Sequence, residues 1–389
     1  MDNDLDLSEF PAPRAGHTDI LVIAGEHSGD EQAGRMIQGL LASKPDLQVV
    51  ALGGKQMEAA GAQLLYDMTG SAVVGFVEVL KSWSFFKKLF RQILSWIEKY
   101  RPEVVCLVDY PGLNLRIAKE LYFRGISIRG GGEMKVVYYI APQVWAWKGH
   151  RRFEMARWLD SLAVIFPFEV EVFADTSLPV EFVGHPFLGE SYTNVLHYDP
   201  DGPILLLPGS RKGAVGRIFP VLLEGFACYR KDHPDARAVT LYPSEGILGF
   251  LQEMMPQGVP VDFVPAAEGA KASALLTSSG TMSLACALAG IPGAIAYRAN
   301  QGTYWLAKAL MQVPFLGIAN LLLRNPMYPE YIQHAATPEA LAAELEISRS
   351  GRRIERSRED AAKLREILGS PPDQSPGTWL GGFVRGQAG

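Results

Sequence analysis

Short runs of aliphatic and β-branched residues alternate with stretches of helical period along most of the chain. In the first half the runs predict strands at Ile20–Ala24, Val49–Leu52, Val104–Val108, Val136–Ile140 and Leu162–Phe166. Helical spacing between them predicts, among others, Leu113–Arg124 and His150–Leu159. In the second half the strands fall at Ile204–Leu207, Ala238–Leu241, Val261–Val264, Ala274–Thr277 and Ala294–Ala296. These runs are apolar on both faces rather than alternating, the pattern of parallel strands covered by helices on each side. The expected class is α/β.

The two halves open alike. Ile20–Ala24 runs into Gly25-Glu26-His27-Ser28-Gly29-Asp30, and Ile204–Leu207 into Pro208-Gly209-Ser210-Arg211. Each is a strand, a glycine-containing turn and a helix. The Pro/Gly-rich stretch Gly184–Gly202 between them reads as a linker. The expected architecture is two doubly wound, Rossmann-like domains facing each other across a cleft, with ligands beyond the carboxyl ends of the strands. Their bounds are 1–188 and 189–346, followed by a helical tail at 347–389 for which packing back on the first domain is one arrangement.

Composition narrows the class. Of 389 residues, 48% are apolar and 20% charged, which excludes a disordered or fibrous chain. Against 42 acidic residues stand 37 Lys and Arg, a net charge of −5 that gives no global footprint for nucleic acid. Three cysteines (Cys106, Cys228, Cys286), odd in number and in apolar surroundings, read as free thiols of a reducing compartment. The acidic opening MDNDLDLSEF lacks a signal-peptide pattern, and no apolar run approaches the ~20 residues of a membrane span. A cytoplasmic protein is expected. The 7 histidines are scattered without metal-ligand spacing, so neither metal nor cofactor is expected.

Four places can carry chemistry. Gly25–Asp30 is a glycine turn opening a helix, suited to a close ligand approach or simply to a tight turn. Gly209-Ser210-Arg211 joins a helix start to a guanidinium, the combination a diphosphate needs; an ordinary N-cap with a surface arginine is the alternative. Thr277-Ser278-Ser279-Gly280-Thr281 sets four hydroxyls at another helix start, for capping or for holding phosphate or ribose. Asp109, at the carboxyl end of Val104–Val108, is either a proton acceptor or a helix-capping aspartate.

The stretch from Phe76 to Tyr100 adds a surface. Phe76, Leu80, Trp83, Phe86, Phe90, Ile93 and Ile97 follow helical spacing and predict a core face. Phe85, Leu89 and Trp96 widen it, with Lys81, Lys87, Lys88 and Arg91 interleaved. Aromatics mixed with cations suit a helix at an anionic membrane surface; a core helix with solvated lysines has the same pattern. Trp145 and Trp147, followed by Lys148, Arg151 and Arg152, make a second such cluster.

In order, AGEHSGD (24–30), GGKQMEAAG (53–61), VVGFVEVL (73–80), DYPGLNLRIAKEL (109–121), APQVWAWKGHR (141–151), FVGHP (182–186), LLPGSR (206–211), SSGTMSLACALAGIP (278–292), YRANQGTYWLAKAL (297–310) and VPFLGIANLL (313–322) resemble the lipid-A-disaccharide synthase family. The resemblance runs from about Asp19 to about Leu345 and implies a GT-B fold and an inverting, metal-free glycosyltransferase of Gram-negative lipopolysaccharide synthesis. The implied donor is UDP-2,3-diacylglucosamine and the implied acceptor is 2,3-diacylglucosamine 1-phosphate (lipid X), met at the cytoplasmic face of the inner membrane. Asp109 matches the family's proposed base and Arg211 its essential arginine. On the donor side the resemblance places Gly209, Ser210, Ser279, Gly280, Thr281, Tyr297, Arg298 and Asn320. On the acceptor side it places Glu26, Ser28, Gly29, Asp30, Asn114, Gln143 and Trp145. Phe76, Trp83, Phe85, Phe86, Lys87, Lys88 and Phe90 match the region that meets acyl chains or membrane. A homodimer stays open.

The departures are local. Ala285 and Ala214 stand where the family carries glutamates, and a lost carboxylate-to-hydroxyl contact costs ~1.5–3 kcal/mol. Ser127–Met134, with Arg129-Gly130-Gly131-Gly132, reads as an insertion, and His27 replaces a small residue. Two rival readings follow: the same fold with another nucleotide sugar, and a silent homologue that binds a lipid or a partner.

Overall fold

Seven parallel strands form the first sheet of the computed structural model, in the order β3-β2-β1-β4-β5-β6-β7. They are β1 (Ile20–Ala24), β2 (Val49–Gly53), β3 (Gln63–Asp67), β4 (Val104–Val108), β5 (Lys135–Tyr139), β6 (Ser161–Val164) and β7 (Val180–Phe182). The structure describes residues 8–69, 83–189, 192–299, 313–369 and 374–385. Every residue of β1, β2 and β4 is buried, the physical counterpart of runs apolar on both faces.

A second sheet has the order β11-β10-β9-β13-β14-β15, and β8 pairs with β12 apart from it. These strands are β8 (Leu196–Tyr198), β9 (Ile204–Leu207), β10 (Ala238–Tyr242), β11 (Val261–Pro265), β12 (Ala270–Ala272), β13 (Ala274–Thr277), β14 (Gly293–Tyr297) and β15 (Glu330–Ile332). The chain divides into two compact units, one of Met1–Ser191 with Leu368–Gly389 and the other of Tyr192–Ile367. Within the stretch read as a linker, Leu196–Tyr198 is a strand of the second unit, registered Leu196 to Ala270. Three residues are too short a run to signal a strand locally.

In each sheet the strand order reverses beside the first strand, between β1 and β4 and between β9 and β13. Ligands bind at such reversals, because the loops leaving the two strands diverge to opposite faces and open a crevice. The loops there are Gly25–Ser28 with Asp109–Tyr110, and Gly209–Arg211 with Ser278–Thr281.

The first unit also takes back the chain end. Helix Pro376–Gly381 packs on helix His27–Ser43, with Trp379 and Leu380 in the core beneath it. Gly377 allows that contact: a Cβ there would lie 2.6 Å from the Leu40 backbone nitrogen.

Helix Trp83–Tyr100 corrects the predicted apolar face. Phe85, Leu89, Ile93, Trp96 and Ile97 form its buried side, whereas Phe86 and Phe90 are only partly buried. The N-terminal segment explains the extra width. Trp96 Nε1 donates to the Pro11 carbonyl at 3.0 Å, Gln92 Nε2 donates to that of Ser8 at 2.6 Å, and Phe10 is buried beside them. Phe85 therefore belongs to the core and is not a membrane residue. Phe76, Leu80, Lys81 and the Trp83 side chain lie outside the described residues. No described helix is long and apolar enough to cross a membrane.

Candidate active site

At the end of β4 the backbone takes a conformation that side chains resist. Asp109 and Tyr110 have φ +46° and +45°, consecutive left-handed residues without a glycine. Each costs of order 1–3 kcal/mol and persists only where the surroundings enforce it. Here the Asp109 N–H continues the ladder to the Tyr139 carbonyl at 2.9 Å. The Asp109 carbonyl accepts from Tyr138 Oη at 2.5 Å and from Asn114 Nδ2 at 2.8 Å.

Tyr110, one residue after Asp109, occupies the N-cap of helix Pro111–Phe123, and its own side chain makes no cap bond. Asp109 is half-buried, and burial, with the Asp109 carboxylate second, raises Tyr138 well above the usual phenol value. The Tyr110 ring lies over Gly25, where a Cβ would fall 2.2 Å from Cδ1. The first glycine turn thus serves the Asp109 loop through ring contact.

Several acceptor-side expectations are corrected. Asp30, 1% exposed, accepts from the N–H groups of Gly54 (2.9 Å), Gln56 (3.1 Å) and Met57 (3.2 Å). It caps helix Lys55–Ala59 and has no face for a substrate. Asn114 is fully buried, its amide nitrogen shared among the carbonyls of Ile23, Val108 and Asp109. Gly29 is buried inside helix His27–Ser43. Glu26, Ser28 and Gln143 are exposed, and Trp145 is half-buried.

In the second unit Gly209 has φ +107°, and a Cβ there would lie 3.4 Å from Ser278 Oγ. The Ser278 N–H donates to the Leu207 carbonyl at 2.8 Å, so the two predicted anion loops are neighbours. Helix Lys212–Tyr229 starts at Arg211 without a side-chain cap or an acidic residue in its first turn. Two cations, Arg211 and Lys212, are exposed at the positive end of its dipole. That placement is unfavourable until an anion joins it. Helix Thr281–Leu288 likewise starts uncapped, at Gly280. The four hydroxyls do not cap it: Thr277 Oγ1, for example, donates to the Ser278 carbonyl at 3.0 Å. Ser279 is half-buried, and Ser210, Gly280 and Thr281 are exposed.

Asn320 is corrected too. It is fully buried, its amide nitrogen donating to the Tyr328 carbonyl (2.7 Å) and Glu330 Oε1 (2.9 Å) and its Oδ1 accepting from the Tyr328 N–H (3.0 Å). Glu330 also accepts from the N–H groups of Leu316 and Gly317, each at 2.9 Å. Asn320 and Glu330 therefore shape the 316–317 turn rather than touch a donor, and nothing local singles out Glu330 in the sequence. Tyr297 is half-buried, and Arg298 donates to the Ala336 carbonyl at 3.0 Å. Ala285 is 1% exposed and presents no carboxylate. Residues 300–310 of the YRANQGTYWLAKAL motif lie outside the described residues. Among the described residues no group of three His, Cys, Asp or Glu could hold a metal.

A sequence model of the family described as lipid-A-disaccharide synthetase matches residues 20–371. Lipid-A-disaccharide synthase 1 of Legionella pneumophila (strain Lens) is 35% identical over 333 residues, covering 81% of this chain and 84% of its own. Lipid-A-disaccharide synthase of Geobacter metallireducens is 33% identical over 376 residues, covering 90% and 93%. Among solved structures, a UDP-N-acetylglucosamine 2-epimerase described as putative, from Listeria monocytogenes, superposes with TM-score 0.59 at 9% identity, covering 94% of each chain. Acinetobacter baumannii MurG does so with TM-score 0.52 at 12% identity, covering 94% and 99%. These two likenesses show the GT-B fold.

Proposed function

The chain belongs to the lipid-A-disaccharide synthetase family, and from that premise we propose how its residues divide the work. The reaction is hexosyl transfer. A 2,3-diacylglucosamine unit passes from its UDP donor to the 6-hydroxyl of 2,3-diacylglucosamine 1-phosphate, giving the β-1,6 disaccharide 1-phosphate and UDP.

Asp109 removes the proton from the acceptor hydroxyl. The freed oxygen pair attacks the anomeric carbon from the face opposite the diphosphate. The carbon–oxygen bond to UDP breaks as the new one forms, and the configuration inverts. Charge grows on the departing diphosphate, where Arg211 and the N–H groups at the starts of helices Lys212–Tyr229 and Thr281–Leu288 receive it. The observation that carries this reading is the uncapped, acid-free start of helix Lys212–Tyr229 with two exposed cations. Titration calorimetry with UDP tests it: wild type binds saturably and Arg211→Ala loses at least tenfold in affinity, whereas equal affinity would remove Arg211 from the donor site.

The acceptor is an amphiphile, and helix Trp83–Tyr100 offers it a matching edge. Phe86, Lys87, Phe90, Arg91 and Arg116 line a pocket of ≈540 Å³, with the Arg116 guanidinium 5.4 Å from the Phe86 ring centroid. Rings beside cations suit acyl chains beneath anionic headgroups, which supports peripheral attachment to the inner membrane. Flotation with anionic liposomes tests this: Phe86→Glu/Phe90→Glu is expected to release the protein, and unchanged flotation overturns the assignment.

A further inference from the structure

Glu169 is a carboxylate that this mechanism leaves unused. It lies on the short helix Phe168–Val172 that follows β6, 1% exposed. Its Oε1 accepts from Trp145 Nε1 at 3.2 Å and its Oε2 from the Phe166 N–H at 3.2 Å. Among the described residues no cation pairs with it. Burial pushes the carboxyl up to about 8, against the lowering effect of the Phe166, Trp145 and Ile165 donors. At neutral pH the group mostly keeps its proton and adds no charge to an edge that already carries Asp109 and Glu26.

Rings extend this contact across three loops. Trp145, after β5, stands edge-on to Phe168 at 5.3 Å. Phe168 stacks on Phe166 at 5.7 Å after β6, and Phe166 meets His185 at 5.2 Å after β7. The loop that carries Trp145 is strained at both ends: Ile140 has φ +66° and Lys148 φ +55°. A left-handed β-branched residue is a genuine outlier and needs an external hold. The same loop ends at Arg151, whose charge acts on Tyr138, the residue whose hydroxyl holds the Asp109 carbonyl.

We propose that Glu169 is a positioning residue for the acceptor: by holding the Trp145 indole it fixes the loop 140–151, with Gln143 and Arg151, at the edge where Asp109 works. This rests on the reading of that edge as the acceptor site. The contact is local to the loop, so its loss changes acceptor binding and leaves UDP binding in the second unit alone.

The test uses full-length protein labelled with ¹⁵N-tryptophan, as wild type, Glu169→Ala, Glu169→Gln and Trp145→Phe. The Trp145 indole resonance is identified by its absence in Trp145→Phe. In Glu169→Ala it is expected to shift while the acceptor KM rises about tenfold, the weight of one lost buried hydrogen bond. The KM for the UDP donor and kcat stay within about twofold. Glu169→Gln keeps a carbonyl for the indole and is expected to restore the acceptor KM to within about threefold of wild type. A folded Glu169→Ala with an unmoved resonance, or with an unchanged acceptor KM, overturns the proposal. So does an equal rise in both KM values with a lowered melting temperature. If Glu169→Ala does not fold, Trp145→Phe decides: an acceptor KM equal to wild type overturns it. Asp109→Asn is assayed alongside. Full turnover there would overturn the site reading, while the resonance shift reports the Glu169 contact independently.

Discussion

Ser278 Oγ lies 3.4 Å from where a Cβ on Gly209 would stand, an ordinary van der Waals distance, so the two helix-start loops of the second unit are neighbours and space alone does not require the glycine. Gly209 sits at φ +107°, outside the range L side chains favour. Gly209→Ala is expected to cost about 1–2 kcal/mol of stability and to weaken UDP binding more than tenfold. Thermal melts and calorimetry on the same sample check both; unchanged UDP affinity would separate the loop from the donor.

Asp30 acts on stability. Its carboxylate takes three backbone N–H groups at a helix start, and bonds to a charged group are worth about 1.5–3 kcal/mol each before non-additivity. Asp30→Ala is expected to lower unfolding free energy by about 3 kcal/mol in urea titration. In the fraction that remains folded, kcat stays within about threefold. A large kcat loss with unchanged stability would return Asp30 to the substrate.

Asn320 behaves similarly in the second unit, with a sign that depends on the replacement. Asn320→Ala leaves the Tyr328 N–H and carbonyl without their present partner and costs about 2–4 kcal/mol. Asn320→Asp also removes the donor to Glu330 and sets a second carboxylate against it, and is expected to be the less stable of the two. Denaturant titration at pH 7 ranks them, and the reverse order would contradict the hydrogen-bond assignment.

Stability should fall on both sides of mid-range pH. Burial lowers His185 to about 3, so between pH 6.5 and 3 the unfolded chain binds the proton that the folded chain refuses, and stability drops as pH falls. Burial raises Glu169 to about 8, so stability that is complete below about pH 4.5 is lost progressively as pH rises to 8. Glu169→Gln is expected to flatten the alkaline side by a few kcal/mol and leave the acid side unchanged. Melting temperature against pH reads both limbs; an unaltered alkaline slope would mean that Glu169 ionises freely.

The fold was legible because its signal is local. Runs such as Ile20–Ala24, Val104–Val108 and Ile204–Leu207 are apolar on both faces, and that alone demands parallel strands under helices. The glycine turns and Asp109 follow the strand ends directly, so the sequence places them at the carboxyl edges, and the ordered motifs supply the family. Which polar side chains remain for substrate is decided elsewhere. Asp30, Asn114 and Asn320 look like ligands in the chain, yet each is buried and bonded to backbone brought to it by folding, from Gly54, Ile23 and Tyr328. Phe85 and Trp96 look like a membrane face until the segment carrying Phe10 and Pro11 covers that side of the helix. Glu169 carries no local signal: its burial, which only folding creates, raises its proton affinity against the lowering effect of the Trp145 indole, 24 residues away. Strand formation depends on the hydropathy of near neighbours, whereas a polar group's role depends on which partners saturate it, and those partners meet only in the tertiary structure.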